Sequence, residues 1–159
     1  MPTQDQSQHV QPQRREIILS AALNTITREG VAGLSLRTVA AEAHVALGSI
    51  AYYFNDKDGL INAAFKEFTQ RSVIQFQSFY EDVTTLEEAR AATVSMLSST
   101  AGSRTDTILG SELYALSLRR PRHRMILLEW TQACQDVMRK YFDEATTLAL
   151  DALLSLIHI

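Results

Sequence analysis

The chain has 159 residues, 46% of them hydrophobic and 21% charged, and a formal net charge of −3. That length carries one core, or a small domain beside a larger one, and the composition excludes a disordered chain. Six glycines and three prolines punctuate it so sparsely that long helices are favoured over a many-turned β fold.

The single cysteine, Cys134, excludes an internal disulfide framework and fits a reducing compartment. The N-terminal stretch is polar and glutamine-rich, without the apolar segment of a secretory signal. No run of about 18 apolar residues exists to span a bilayer. The expectation is a soluble, cytoplasmic protein with no membrane partner.

In chain order, residues 1–13 read as a disordered tail. A first helix is expected over 14–29, with Ile18, Ala22 and Ile26 at four-residue spacing and Gly30 as its stop. Residues 31–34 connect it to Ser35, an N-cap type whose hydroxyl can accept from the next turn. Leu36, Val39, Ala40 and Ala43 then mark one buried helical stripe. His44-Val45-Ala46 interrupts that stripe, and a short helix over 47–54 resumes it through Ile50 and Phe54. Two short amphipathic helices split by a brief turn, behind a longer helix, have the layout of a helix-turn-helix.

Asn55 and Asp56 supply cap residues for a helix from Lys57 to about Tyr80, with Leu60, Ile61, Ala64, Phe65, Phe68, Phe76 and Phe79 on its apolar face. Thr85-Leu86-Glu87-Glu88 is a capping box opening a fifth helix to about Ser99. Gly102-Ser103 reads as a turn, a sixth helix follows over 106–119, and Pro121 suits the first turn of a seventh that ends near Phe142. An eighth starts after Asp143. The fold class is all-α, divided into a head over 14–57 and a larger helical body over 58–159.

Residues 36–60, LRTVAAEAHVALGSIAYYFNDKDGL, resemble the DNA-binding domain of TetR/AcrR-type regulators. The shared pattern is an alanine-rich second helix, Gly48-Ser49-Ile50 opening the recognition helix, the aromatic Tyr52-Tyr53-Phe54 end, and Lys57 opening the fourth helix. The resemblance covers roughly residues 14–65; Ala46-Leu47-Gly48-Ser49 also resembles a subgroup typified by an enterobacterial regulator of curli and biofilm genes. Two positions depart from the pattern. His44 stands where the family has Gly in a left-handed conformation, and Ala51 stands where relatives often carry a DNA-facing Tyr.

The resemblance implies a sequence-specific transcriptional regulator, a repressor released from a palindromic operator by a small-molecule inducer. Its recognition helix enters the major groove by its N-terminal residues, here Leu47, Gly48 and Ser49. Leu47 reads equally as a thymine-methyl contact or as domain core, and Gly48 permits close backbone approach. Arg37 matches a base-reading position, against the alternative of a solvated arginine; guanine pairing there carries about 1–3 kcal/mol of discrimination. Thr38 and Ser35 can hold phosphates, although Ser35 serves equally as a cap. Of Tyr52 and Tyr53, Tyr53 together with Lys57 best matches the family's phosphate contacts. Lys57 sits unfavourably on a helix N-terminus unless an anion binds there. The charges of residues 1–57 balance, so DNA affinity must come from where the cations stand, not from a bulk field.

The resemblance further implies a homodimer formed through the C-terminal helices and an inducer pocket inside the body, with Phe68, Met96, Leu113, Leu116, Trp130 and Cys134 as lining candidates. The same residues read more simply as core. Arg119-Arg120-Pro121-Arg122-His123-Arg124 reads as a solvated corner rather than an anion site, and Cys134 as a packed thiol. Against the family, the last helix is missing, and Ser155-Leu156-Ile157-His158-Ile159 reads as a foreign or truncated end. No phosphate loop, Glu-x-x-His pair or i, i+4 histidine pair supports an enzyme, a metal site or a cofactor. The alternative is a helical ligand-binding or adaptor protein without DNA contact, which has no use for the 48–57 segment.

Overall fold

A computed structural model describes the backbone of residues 4–157 and the side chains of 13–157, which form eight α-helices with no strand among them. The all-α expectation holds. Two compact units divide the chain, Met1–Glu67 and Phe68–Ile159.

In the first unit, α1 (Gln4–Gly33) is broken at Gly30, whose φ of 70° lies in the left-handed region. The stop read at Gly30 is therefore a real break, followed by one further helical turn. At the other end a correction is needed: residues 4–13, expected as a disordered tail, are helical. Glutamine ranks among the better helix formers, so a glutamine-rich stretch is compatible with the helical backbone found here. Residues 1–3 of that tail lie outside the described residues.

Ser35 caps α2 (Leu36–Glu42) as expected, its Oγ accepting from the Thr38 N–H at 3.0 Å. The turn to α3 (Leu47–Phe54) is a Schellman motif: the Val45 N–H donates to the Ala40 carbonyl at 3.0 Å and the His44 N–H to the Ala41 carbonyl at 3.2 Å. That geometry sets His44 at φ 54°, the left-handed conformation expected at this position. Ile50 and Phe54 are buried on α3, Val39 and Ala40 on α2, and Ile18, Leu19, Ala22 and Ile26 on α1. Burying each of the Ile, Leu, Val and Phe side chains among these stabilises the unit by about 1.5–3 kcal/mol.

The first unit ends within α4 (Lys57–Ser78), later than the expected boundary at 57. The reason is packing: Leu60, Ile61, Ala64 and Phe65, on the first turns of α4, are all buried within the head's share of the chain.

In the second unit, α5 (Leu86–Gly102) carries the expected capping box, with Thr85 accepting from the Glu88 N–H and Glu88 reaching back to the Thr85 N–H. Ser103 caps α6 (Arg104–Ser117), which therefore starts slightly ahead of the expected Asp106. Pro121 opens α7 (Pro121–Met138), and α8 (Glu144–Ile157) follows Asp143, whose carboxylate accepts from the Thr146 N–H at 2.8 Å. α7 stops short of the expected Phe142 because Asp143 commits the chain to a new helix start. It packs against α6 and α8, and α5 packs on both α6 and α8. The core here gathers Phe76, Tyr80, Met96, Cys134, Val137, Met138 and Leu154. Tyr80 stacks between Phe76 and Tyr141 and shares a 2.7 Å hydrogen bond with Thr93, so the core's one buried phenol is satisfied.

Candidate nucleic-acid interface and ligand cavity

The buried stripe of α3 leaves its other faces open. Leu47 is 44% exposed and Tyr52 72% exposed, while Ser49 and Tyr53 are half-buried. Of the two readings for Leu47, core is thus disfavoured. A side chain added at Gly48 would meet nothing within 4 Å. Gly48 is therefore not required by internal packing. Ala46, at the N-cap position, provides no side-chain bond, so the positive end of α3 carries no internal cap.

α2 adds a second row. Arg37 is exposed, Thr38 is half-buried, and the Ser35 and Thr38 hydroxyls share a 2.7 Å hydrogen bond. Ser35 is spent as a cap, which leaves it less able to hold a second partner. Among the described residues Arg37 pairs with no carboxylate, whereas Arg28 on α1 is held by Glu29 at 3.1 Å and Glu42 at 3.2 Å. Those two carboxylates raise the Arg28 guanidinium's proton affinity further and tie the end of α1 to α2. Lys57 is half-buried at the start of α4.

The aromatic end of α3 is braced rather than loose. Tyr52 and Tyr53 meet edge to face at 5.1 Å, Tyr53 leans on Phe54 at 6.1 Å, and the Arg15 guanidinium lies 5.5 Å from the centre of the Phe54 ring. Arg15 was not among the sequence candidates. Its role depends on α1 passing over α3, which no local pattern displays.

The second unit holds a cavity of about 190 Å³ lined from every one of its helices. α4 and the turn after it give Ser72, Gln75, Phe76 and Phe79; α5 gives Met96 and Thr100; α6 gives Asp106, Gly110 and Tyr114. α7 gives Leu127, Leu128, Trp130, Thr131 and Cys134, and α8 gives Asp151, Leu154 and Ser155. Of the expected lining residues, Met96, Trp130 and Cys134 are here. Phe68, Leu113 and Leu116 are not. Phe68 stands behind the wall with its ring edge-on to Trp130 at 5.3 Å, Leu113 is fully buried, and Leu116 is half-buried on α6. Helical periodicity marks which residues turn inward but not which of them border empty space.

Burial, and then the Asp151 carboxylate, push the Cys134 thiol up to about 12, so almost no thiolate forms at neutral pH. That agrees with a packed thiol. Among the described residues no group of His, Cys, Asp and Glu is arranged to hold a metal, and no helix is long and apolar enough to cross a membrane.

A helix-turn-helix head followed by a helical unit that holds a cavity is the layout of a DNA-binding transcriptional regulator. Residues 18–71 match the family described as bacterial regulatory proteins, tetR family. Among solved structures the chain is similar to SCO7518 of Streptomyces coelicolor A3(2), at 38% identity and a TM-score of 0.83, covering 90% of this chain and 83% of that one. It is also similar to SCO1917 of Streptomyces coelicolor A3, a TetR-family member, at 34% identity and a TM-score of 0.77, covering 89% and 82%. The multidrug binding protein EbrR, solved with imidazole, matches at 34% identity and a TM-score of 0.70 over 90% of this chain and 76% of that one. The chain belongs to the TetR family. Curated relatives match over a shorter part of the chain. The HTH-type transcriptional regulator BetI of Stenotrophomonas maltophilia (strain R551-3) is 43% identical over 58 residues, 36% of this chain and 30% of BetI. The chain thus matches under a third of the length of that relative.

Proposed function

We propose that the protein is a sequence-specific transcriptional repressor that leaves a palindromic operator when a small molecule occupies the cavity of its second unit. The observation that carries the DNA half is the open face of α3: an uncapped helix start with Leu47, Gly48 and Ser49 accessible, next to an unpaired Arg37. α3 enters the major groove, Arg37 reads a base edge, and Thr38, Tyr52, Tyr53 and Lys57 hold phosphates, with Ser35 mainly fixing α2. Leu47 takes a thymine methyl. Two copies, joined through their C-terminal helices, present two such heads about 34–36 Å apart, one turn of DNA. The finer likeness to the curli and biofilm subgroup rests on the residues 46–49 alone. A cytoplasmic location follows from the operator as target.

The cavity supports the ligand half. Aromatic and aliphatic walls with a few polar groups are the make-up of a small-molecule site. The similar EbrR has been solved with proflavin and with ethidium, which supports a ligand in the corresponding unit of this chain. Binding acts by stabilising a body conformation whose heads no longer match the operator, a shift that requires different ligand affinities in the two conformations. A gel-shift titration of the full chain with the DNA upstream of its own gene tests the proposal. A retarded band that weakens steeply with salt and resists non-specific competitor supports it; no retardation by a dimeric preparation at low salt overturns it.

A further inference from the structure

From the charges around the cavity we infer that its ligand is a small aromatic cation, held by Asp106 and Asp151. The inference rests on the ligand half of the proposed function and deepens it. Asp106 and Asp151 both line the cavity, one from α6 and one from α8, and no lysine, arginine or histidine lines it with them. Two carboxylates beside an apolar, partly enclosed space with no lining cation form an electrostatic trap of one sign. An anion is repelled there, and a neutral ligand leaves the charge uncompensated.

The Asp151 carboxylate is held in place rather than free to swing out. The Gln135 side-chain amide donates to it at 3.0 Å, and Gln135, itself buried, accepts from the Arg139 guanidinium at 2.9 Å. Arg139 does not cancel the charge of Asp151, because Glu144 and Asp136 already take it at 2.8 and 3.1 Å. Asp106 stands in the first turn of α6, where its backbone N–H donates to the Ser103 hydroxyl, and it lines the cavity from that helix. The walls suit the same ligand. Phe76, Phe79, Tyr114 and Trp130 present rings to the cavity, and ring faces attract cations. The volume of about 190 Å³ exceeds that of a cavity of about 150 Å³ that holds benzene, and the space is partly open.

Trp130 is the chain's one tryptophan and lines this cavity, so its fluorescence serves as the occupancy signal. The full chain is titrated at neutral pH with three bicyclic probes of matched size: 4-aminoquinoline as the cation, quinoxaline as the neutral compound and quinoline-4-carboxylate as the anion. The inference expects the cation to bind at least about tenfold tighter than the neutral probe, and the anion not at all. Asp106→Asn and Asp151→Asn should each weaken the cation about tenfold while leaving quinoxaline and the thermal melting profile unchanged. Equal affinity for the three probes, preference for the anion, or cation binding indifferent to both substitutions overturns the inference and leaves the cavity a ligand site. Failure of all three probes to perturb Trp130 overturns the ligand site and the inference together.

Discussion

The carbonyl of Phe54, the last residue of α3, lies so close to Gly59 that a Cβ there would collide with it. The chain reverses between these two residues through Asn55 at φ 64°, and Asp56 closes the turn by accepting from the Gly59 N–H at 2.7 Å. α3 is thereby seated directly on the first turn of α4.

Gly59→Ala has no room to relax, because the opposing atom is backbone rather than a flexible side chain. We expect a loss of about 1–3 kcal/mol, read as a lower midpoint in thermal or urea unfolding. A midpoint equal to that of the parent chain would show that α3 and α4 can separate here at no cost.

His44 pays for its left-handed backbone inside the Schellman turn, where glycine would not. His44→Gly should raise stability by about 1 kcal/mol, despite the greater freedom of glycine in the unfolded chain. The check is a shift of the melting midpoint upward. A downward shift would mean that the His44 side chain makes a compensating contact.

Glu88 gives a pH signature. Hydrogen bonds from Thr84, backbone and then hydroxyl, and from Thr85 lower its carboxyl from an ordinary 4.5 to about 2. A carboxylate whose folded value is depressed stabilises the fold above its unfolded value and loses that contribution as the pH falls towards the folded one. The start of α5 should therefore weaken between about pH 4.5 and 2, and Glu88→Gln should flatten that part of the stability profile. Hydrogen exchange of the 84–90 amides follows it directly; an identical acid profile in the two proteins would contradict the account.

How much of this was legible beforehand depended on whether the determinant was local. Ser35, Thr85-Glu88 and Pro121 are helix starts written in a few adjacent residues, and each stands where it was read. The same holds for α3, whose bounds follow from a turn signal and one apolar stripe. The cavity was not legible in this way. Phe68, Leu113 and Leu116 share the apolar periodicity of Met96 and Trp130, yet empty space borders only the latter pair. In the sequence Asp106 marks only the start of the sixth helix, and Asp151 carries no local signal. Only the packing of α6 and α8 around one space brings them to the same cavity. The extension of α1 to residue 4 was missed because a helix without an apolar face leaves no periodic trace.

Selection of duplexes from a randomised pool by the full chain, repeated with Arg37→Ala and with Tyr53→Phe, tests most directly whether α2 and α3 read DNA. The account predicts an enriched palindrome. It further predicts relaxed preference at one position of each half-site for Arg37→Ala, and uniformly weaker binding to every sequence for Tyr53→Phe. No enriched sequence, or the same preference and affinity in all three proteins, would contradict it.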